Sequence, residues 1–321
     1  VCVGFDTRGG GAAAAVTDDA QRRKFLVYGA TGWIGAKLVA LLRGEGGGVE
    51  VAIGAARLED RAALDAELDA VAPTHVLNAA GITGRPNVDW CESHKQETIR
   101  VNVIGTLNLA DLCSTKRVHL TVFATGCIYE YDDTHELGSG VGFTEDEAPN
   151  FAASFYSYSK GMVDGLLKSY DEHVLVLRLR MPLSDEYEHP RSFITKITHY
   201  KKVVNVPNSM TNLDELLPVS LDMARRRLTG TFNFTNPGAI SHNEVLDLYK
   251  KHVHADFEYT NFSLDEQAKI LKAGRSNNEL DVSKLLKLYP DIKEIHESVS
   301  ELMVRMAAKR PADAKAPVPS R

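Results

Sequence analysis

Cysteine is scarce in this chain. Four occur in 321 residues (Cys2, Cys91, Cys113 and Cys127), too few for a dense disulfide framework and without metal-ligand spacing. Reduced thiols in a cytoplasmic protein are therefore expected. The eleven histidines, among them His75, His94 and His199, show no ligand spacing either, and they read as structural or surface residues with no metal implied. No apolar run approaches the ~18 residues that a bilayer span needs, which excludes a helical membrane anchor. Positive charge is not in excess: 37 Lys and Arg against 43 Asp and Glu leave −6, which argues against a nucleic-acid surface. The one basic run, Arg225-Arg226-Arg227, closes an expected helix (213–228), where cations suit the helix dipole. No internal repeat is visible. Arg22-Arg23 before an apolar stretch resembles an export signal, but the next residues read better as a first strand, so no targeting segment is assigned.

What is present describes a globular α/β protein. Hydrophobic residues make up 44% of the chain and charged residues 25%, enough for a large core and one or two closely packed domains. Strands and helices alternate from Lys24 to about Arg180, the pattern of a doubly wound parallel sheet of Rossmann type. Strands are expected at 24–28, 49–53, 74–78, 118–124 and 174–178. Helices are expected from the glycine-rich turn through Leu42, at 61–71, as one continuous element at 97–114, and at 154–170. Beyond Met181 the rhythm changes: helical stretches at 191–201, 213–228, 241–252 and 293–308 are separated by short strands such as 231–234. This suggests a smaller C-terminal substrate-binding lobe (181–308) with segments returning to the sheet of the dinucleotide domain (24–180). Residues 1–23 and 309–321, rich in Gly, Ala, Pro and Lys, are expected to be a linker and a disordered tail. Because the first residue is Val1, a fragment or the downstream part of a longer polypeptide is expected.

The first strand runs into Gly29-Ala30-Thr31-Gly32-Trp33-Ile34-Gly35. Missing Cβ atoms at Gly29, Gly32 and Gly35 allow a tight turn and the close approach of a dinucleotide pyrophosphate. Free N–H groups of the helix that follows, with Thr31, Trp33 and Ile34 around them, supply the positive end. After the second strand stands Gly54-Ala55-Ala56-Arg57 in place of an acidic ribose ligand. Arg57 suits the 2′-phosphate of NADP(H), or is a solvent-facing loop residue, with NAD(H) the alternative cofactor. Leu58 fits a place beside the adenine, and Asn78-Ala79-Ala80 fit the loop lining the cofactor.

The strand ending at Thr125 and the pair Tyr156-x-x-x-Lys160 carry the chemistry. A phenol with an ordinary pKa near ~10 is a poor proton carrier at neutral pH unless a cation stabilises its anion. Lys160, one helical turn from Tyr156, is placed to do so and to hold the nicotinamide ribose. Thr125 can hydrogen-bond the reacting oxygen, and Asn102 occupies a helix position that completes such a proton relay. Taken singly, Tyr156 and Lys160 also read as a surface pair. Cys127, two residues past Thr125 at a strand's carboxyl end, is placed as an acid or base, or is a small buried apolar cysteine.

These residues together resemble the extended short-chain dehydrogenase/reductases acting on nucleotide sugars. The chain further resembles the plant-type UDP-rhamnose synthase 3,5-epimerase/4-reductases over about 24–304, through 81–92 (GITGRPNVDWCE), 125–128 (TGCI), 204–211 (VNVPNSMT) and 275–281 (RSNNELD). That resemblance implies conversion of UDP-4-keto-6-deoxyglucose to UDP-L-rhamnose, by epimerisation at C3 and C5 and NADPH-dependent reduction at C4. It gives Cys127 and Lys196, the latter in an Ile-Thr-Lys-Ile string, proton-transfer roles; a surface Lys196 is the competing reading. It points to Thr83, Gly84, Arg85, Asn87, Asp89 and Trp90 as a substrate loop, and to Asn205, Arg275 and Asn278 for the UDP moiety. Met181 and Pro182 should pack near the nicotinamide. A 4,6-dehydratase, fused or separate, and a homodimer are the partners it allows. Two rivals remain open: a reductase without epimerase activity, like dTDP-4-dehydrorhamnose reductase, and a non-catalytic regulatory subunit of the same fold.

Overall fold

The computed structural model describes residues 23–45, 48–84, 87–170 and 172–317. The expected linker up to residue 22, the last four residues and the substrate-loop candidate Arg85 lie outside the described residues. Strands β1 (Arg23–Tyr28), β2 (Val49–Ile53), β3 (His75–Asn78), β4 (His119–Thr125), β5 (Val174–Leu179) and β6 (Gly230–Asn233) form one parallel sheet in the order β2-β1-β3-β4-β5-β6. Along the chain the helices are α1 (Trp33–Gly44), α2 (Arg61–Val71), α3 (Trp90–Ser93), α4 (Lys95–Thr98), α5 (Thr106–Lys116), α6 (Phe155–Leu167), α7 (Phe193–Thr198), α8 (Leu213–Arg225), α9 (His242–His252), α10 (Leu264–Ala268), α11 (Ser283–Leu286) and α12 (Ile295–Lys309).

Both faces of the sheet are covered, which is why its strands read as near-continuous apolar runs. In β1, Phe25 and Val27 enter one core with α1 and α8, while Leu26 and Tyr28 enter another with α2, α5 and α6. The buried residues of a third core all lie beyond 182: Ile194 and Ile197 of α7 meet Leu246 of α9 and Leu302 of α12. β6 comes from the C-terminal half of the chain, so that half returns a strand to the sheet. Among the described residues, no helix is long and apolar enough to cross a membrane.

Three expectations from the sequence differ from the structure. The continuous helix 97–114 is α4 and α5 joined by a π-helical segment, Ile99–Gly105. The widened turn brings the Asn102 amide onto the backbone of Ile82, and Gly105 passes so close to Leu58 that a Cβ would stand 2.7 Å from that side chain. The helix expected at 191–201 is only α7, because His199 turns its ring onto the Thr195 carbonyl (2.7 Å) and the chain leaves to pair Val203 with Asn261. The tail begins later than 309: Lys309 ends α12 and binds Asp185, and Arg310 reaches His254 at 3.0 Å. The arginine run at 225–227 binds within the molecule, to Glu45, Asp222 and the Thr74 carbonyl.

Candidate active site

The strand order reverses between β1 and β3, and in open α/β sheets ligands sit outside the carboxyl ends at such a switch point. Gly29 stands there at φ 77°, with a would-be Cβ only 2.6 Å from the backbone of Ala79. A Cβ on Gly35 would come within 2.2 Å of the Gly29 carbonyl oxygen, so the α1 backbone lies tight against the turn. The turn itself is closed by the Gly32 N–H donating to that same oxygen at 2.9 Å. Gly32 also caps α1 without a side-chain hydrogen bond, and the first turn of α1 holds no acidic residue. Its amide groups thus face the exposed Thr31–Gly32 corner with no built-in anion, an arrangement that fits a dinucleotide diphosphate. Ile34 packs inward on the first core. Trp33 stacks on His189 (4.6 Å) and donates its indole N–H to Glu186 at 2.6 Å. Beyond β3, Asn78 accepts the Ala80 N–H at 3.0 Å, which fixes the loop that carries Ala79 against Gly29.

At the far end of the crevice the sequence expectations divide. The Arg57 side chain is 76% exposed and reaches Glu59 at 3.4 Å, free to turn toward a ligand. Leu58, expected beside the adenine, has its side chain buried in the second core, and its carbonyl accepts from Asn108. The amides of Ala55 and Ala56 donate to Glu67, which also accepts the Tyr28 hydroxyl at 2.7 Å.

Four elements bring the reactive groups together. β4 ends at Thr125, whose hydroxyl oxygen accepts the Cys127 N–H at 3.1 Å. Ser154 caps α6 by accepting the Ser157 N–H, and Glu92 of α3 accepts the Phe155 N–H at 2.7 Å, so the first turn of α6 is pinned from two sides. Tyr156 in that turn is buried and hydrogen-bonds Thr125. Burial first, then the neighbouring Cys127 sulfur, pushes its phenol above the ordinary value, so it stays protonated, with the Thr125 contact pulling the other way. Lys160 is half-buried, and burial draws it down to about 8 while Asp164, a further turn along α6, opposes the shift. Here the lysine sits between the phenol and Asp164, whose carboxylate is held bidentate by buried Arg178 (2.9 and 2.6 Å). Asn102 acts through its side chain as a clamp, accepting the Ile82 N–H and donating to the Ile82 carbonyl, each at 2.8 Å.

Lys196 arrives from α7, half-buried, its charge disfavoured by burial and by Arg191 and favoured by Cys127. Cys127 is therefore in electrostatic range of both Tyr156 and Lys196. After β5 the chain turns through Met181 at φ 36°, a sparsely populated conformation for a side chain of that size, and the Pro182 carbonyl accepts the N–H that starts α7.

The substrate-loop candidates fall into a linked group. Gly84 (φ 72°) packs on Trp90, which stacks on His94 at 3.8 Å; Asn87 accepts the Asp89 N–H at 2.8 Å; and Asp89 pairs with Arg275 at 2.9 Å. Thr83 accepts from Arg191 at 3.3 Å. Asn205 is exposed. Asn278 is fully buried, its amide donating to the carbonyls of Gly126 and Tyr129 (3.1 and 2.8 Å), so it braces the turn before Cys127 instead of offering those donors to a nucleotide.

A family model, the NAD dependent epimerase/dehydratase family, matches residues 25–206. This chain belongs to that family. A nicotinamide dinucleotide is the cofactor after which the epimerase/dehydratases are named, and the glycine cradle accommodates its diphosphate. The chain is 57% identical over 275 residues to a bifunctional dTDP-4-dehydrorhamnose 3,5-epimerase/dTDP-4-dehydrorhamnose reductase of Arabidopsis thaliana, covering 86% of this chain and 90% of that one. It is 55% identical over 286 residues to a trifunctional UDP-glucose 4,6-dehydratase/UDP-4-keto-6-deoxy-D-glucose 3,5-epimerase/UDP-4-keto-L-rhamnose-reductase of the same plant, covering 89% of this chain but 43% of that longer protein. The chain thus spans less than half the length of that relative. Among solved structures, the UDP-rhamnose synthase from Acanthamoeba polyphaga mimivirus superposes with a TM-score of 0.84 at 41% identity, over 88% of this chain and 99% of the other.

Sequence reasoning missed four of the side chains that shape this epimerase/dehydratase site: Glu92, Asp164, Arg178 and Arg180. Charged residues inside the apolar run 174–180 were the available signal for the two arginines, since a buried strand carries a charge only where something answers it.

Proposed function

We propose that this chain converts UDP-4-keto-6-deoxy-D-glucose to UDP-L-rhamnose, as a 3,5-epimerase and 4-reductase sharing one pocket. The observation that carries this reading is that Cys127, tied to Thr125 at 3.1 Å, is in electrostatic range of both Tyr156 and Lys196. A plain reductase needs Thr125, Tyr156 and Lys160 alone and gives Cys127 and Lys196 nothing to do. The names of the two plant relatives, and that of the mimivirus structure, support the substrate class.

The C4 ketone acidifies the hydrogens at C3 and C5. Cys127 and Lys196 form the acid–base pair: one removes a proton to leave an enolate, and the other returns a proton from the opposite face, inverting the centre with no net redox change. The Tyr156 phenol, kept protonated by burial, then donates its proton to the C4 oxygen, and Thr125 holds that oxygen in line. A reduced nicotinamide, when bound, supplies the hydride to C4. Lys160 binds the ribose and returns the phenol to its protonated form. The exposed charge of Arg57 and the absence of an acidic residue at the end of β2, where Gly54-Ala55-Ala56 follow, favour NADPH over NADH. Arg275, oriented by its ion pair with Asp89, holds the nucleotide diphosphate end, with Trp90 beside the sugar. The thiols Cys91, Cys113 and Cys127 are unpaired, which suits a reducing, cytoplasmic setting. A 4,6-dehydratase, fused or separate, supplies the 4-keto substrate.

The test is to supply UDP-4-keto-6-deoxyglucose with NADPH and to identify the product by NMR. UDP-L-rhamnose is expected. Turnover only after a separate epimerase is added would reduce the chain to a 4-reductase, and no NADPH oxidation with any 4-keto nucleotide sugar would favour a regulatory subunit.

A further inference from the structure

Arg180, the residue after β5, is 1% exposed. Its guanidinium donates to the carbonyl oxygen of Gly126 (3.2 Å), to the hydroxyl and carbonyl oxygens of Ser276 (2.9 and 3.0 Å) and to the side-chain oxygen of Asn208. All of these are neutral. Its Nε is buried with no hydrogen-bond partner, and among the described residues no carboxylate pairs with it. Buried charges are ordinarily paired, because removing one from water without an anion costs several kcal/mol. The contrast with Arg178 two residues earlier is direct, since that guanidinium has the Asp164 carboxylate.

Three ionisable groups feel the Arg180 charge: Tyr131, Cys127 and His242, whose imidazole burial and that charge hold down at about 4, so that it stays neutral. Burial pushes the Tyr131 phenol up to about 12, and its hydroxyl donates to the Pro207 carbonyl, so it stays neutral. Cys127 remains, a thiol next in sequence to the Gly126 carbonyl that the guanidinium binds, and its sulfur turns negative when it gives up its proton in the epimerisation proposed above. The other titratable groups around Cys127 are Tyr156 from α6 and Lys196 from α7. The arginine is also rigidly placed: its side chain lies across Gly126, where a Cβ would stand 3.1 Å from it, and Asn278 braces the same Gly126 carbonyl at 3.1 Å.

We infer that Arg180 is a positioning residue for the epimerisation half-reaction, a fixed buried cation that offsets the negative charge developing on the Cys127 sulfur when it holds no proton. The inference rests on the acid–base role proposed above for Cys127. Arg180 touches neither substrate nor cofactor in this role, and it acts through the thiol alone.

The test is the rate of Cys127 alkylation by iodoacetamide in the full chain, with Cys127→Ala subtracted to remove the other thiols, so that no sugar nucleotide is needed. Arg180→Met is expected to slow alkylation at pH 7 about tenfold, the scale of removing one nearby charge from a buried site. Arg180→Lys, which keeps the charge, should recover most of the loss. The pH at which C3/C5 deuterium exchange reaches half its plateau should rise in Arg180→Met and return in Arg180→Lys. A folded Arg180→Met alkylated at the wild-type rate would overturn the inference. If Arg180→Met does not fold, Lys196→Met decides: alkylation still about tenfold faster than that of a cysteine-containing peptide supports Arg180 as the activating charge, whereas alkylation at the peptide's rate rejects it. Absence of C3/C5 exchange in the wild type would sink the epimerase role alone, leaving the alkylation result to stand or fall by itself.

Discussion

Replacing Lys160 by Met should make the protein more stable while ending its reductase activity. Burial draws this lysine from its ordinary 10.5 down to about 8, so below that pH the fold carries an ammonium it disfavours. At 1.36 kcal/mol per pH unit, that interval corresponds to about 3 kcal/mol of native-state penalty. The usual objection to removing one member of a charged pair is that its partner is left orphaned. Here Asp164 keeps its bidentate bond to Arg178, so no unpaired carboxylate is created. Methionine also preserves most of the stem's packing. We expect a gain of roughly 1–3 kcal/mol at pH 7 by urea denaturation, the lower part of the range allowing for the partial contact of Lys160 with solvent. The sign of the pH dependence is fixed by the direction of the shift. The unfolded chain binds more protons than the native one between about pH 8 and 10.5, so wild-type stability rises through that window and the advantage of the variant shrinks. A Lys160→Met protein that is less stable than wild type at pH 7, or whose advantage is the same at pH 7 and pH 10, would refute the reasoning.

Other outcomes follow from the same geometry. Tyr156→Phe should lower the rate of 4-keto reduction by about 10²–10⁴ while affecting C3/C5 deuterium exchange much less, and equal losses in both would remove the phenol's separate role. Gly35→Ala should abolish dinucleotide binding in a fluorescence titration, because its Cβ would meet backbone that cannot yield; wild-type affinity would show that the cradle is misread. Asp89→Asn should raise KM for the nucleotide sugar several-fold with little change in kcat. Its stability cost should stay below about 1 kcal/mol, because the Asp89–Arg275 pair is partly exposed.

The parts of the site that were legible in the sequence are those set by local spacing. Gly29, Gly32 and Gly35 follow a strand and open a helix, and that order alone places them at a diphosphate cradle. Tyr156 and Lys160 lie one turn apart on α6 whatever the rest of the chain does. The parts that were not legible depend on contacts distant in sequence. Nothing within 97–114 announces a π-helical turn; it answers to Ile82 and Leu58 from other segments. Leu58 and Asn278 look like ligand-facing residues in their own strings, yet one is buried by α5 and the other by the Gly126 turn. Arg178 and Arg180 look alike in sequence, and only the fold gives one a carboxylate and leaves the other without.

The central claim is a division of labour within one pocket, with Cys127 and Lys196 moving protons at C3 and C5 and with Thr125, Tyr156 and Lys160 serving reduction at C4. It is tested most directly in Cys127→Ala, by following deuterium wash-in at C3 and C5 of the 4-keto sugar beside NADPH-dependent reduction of a pre-epimerised one. The account predicts that wash-in is lost and reduction largely kept. Unchanged wash-in, or the loss of both activities together in a folded protein, would contradict it.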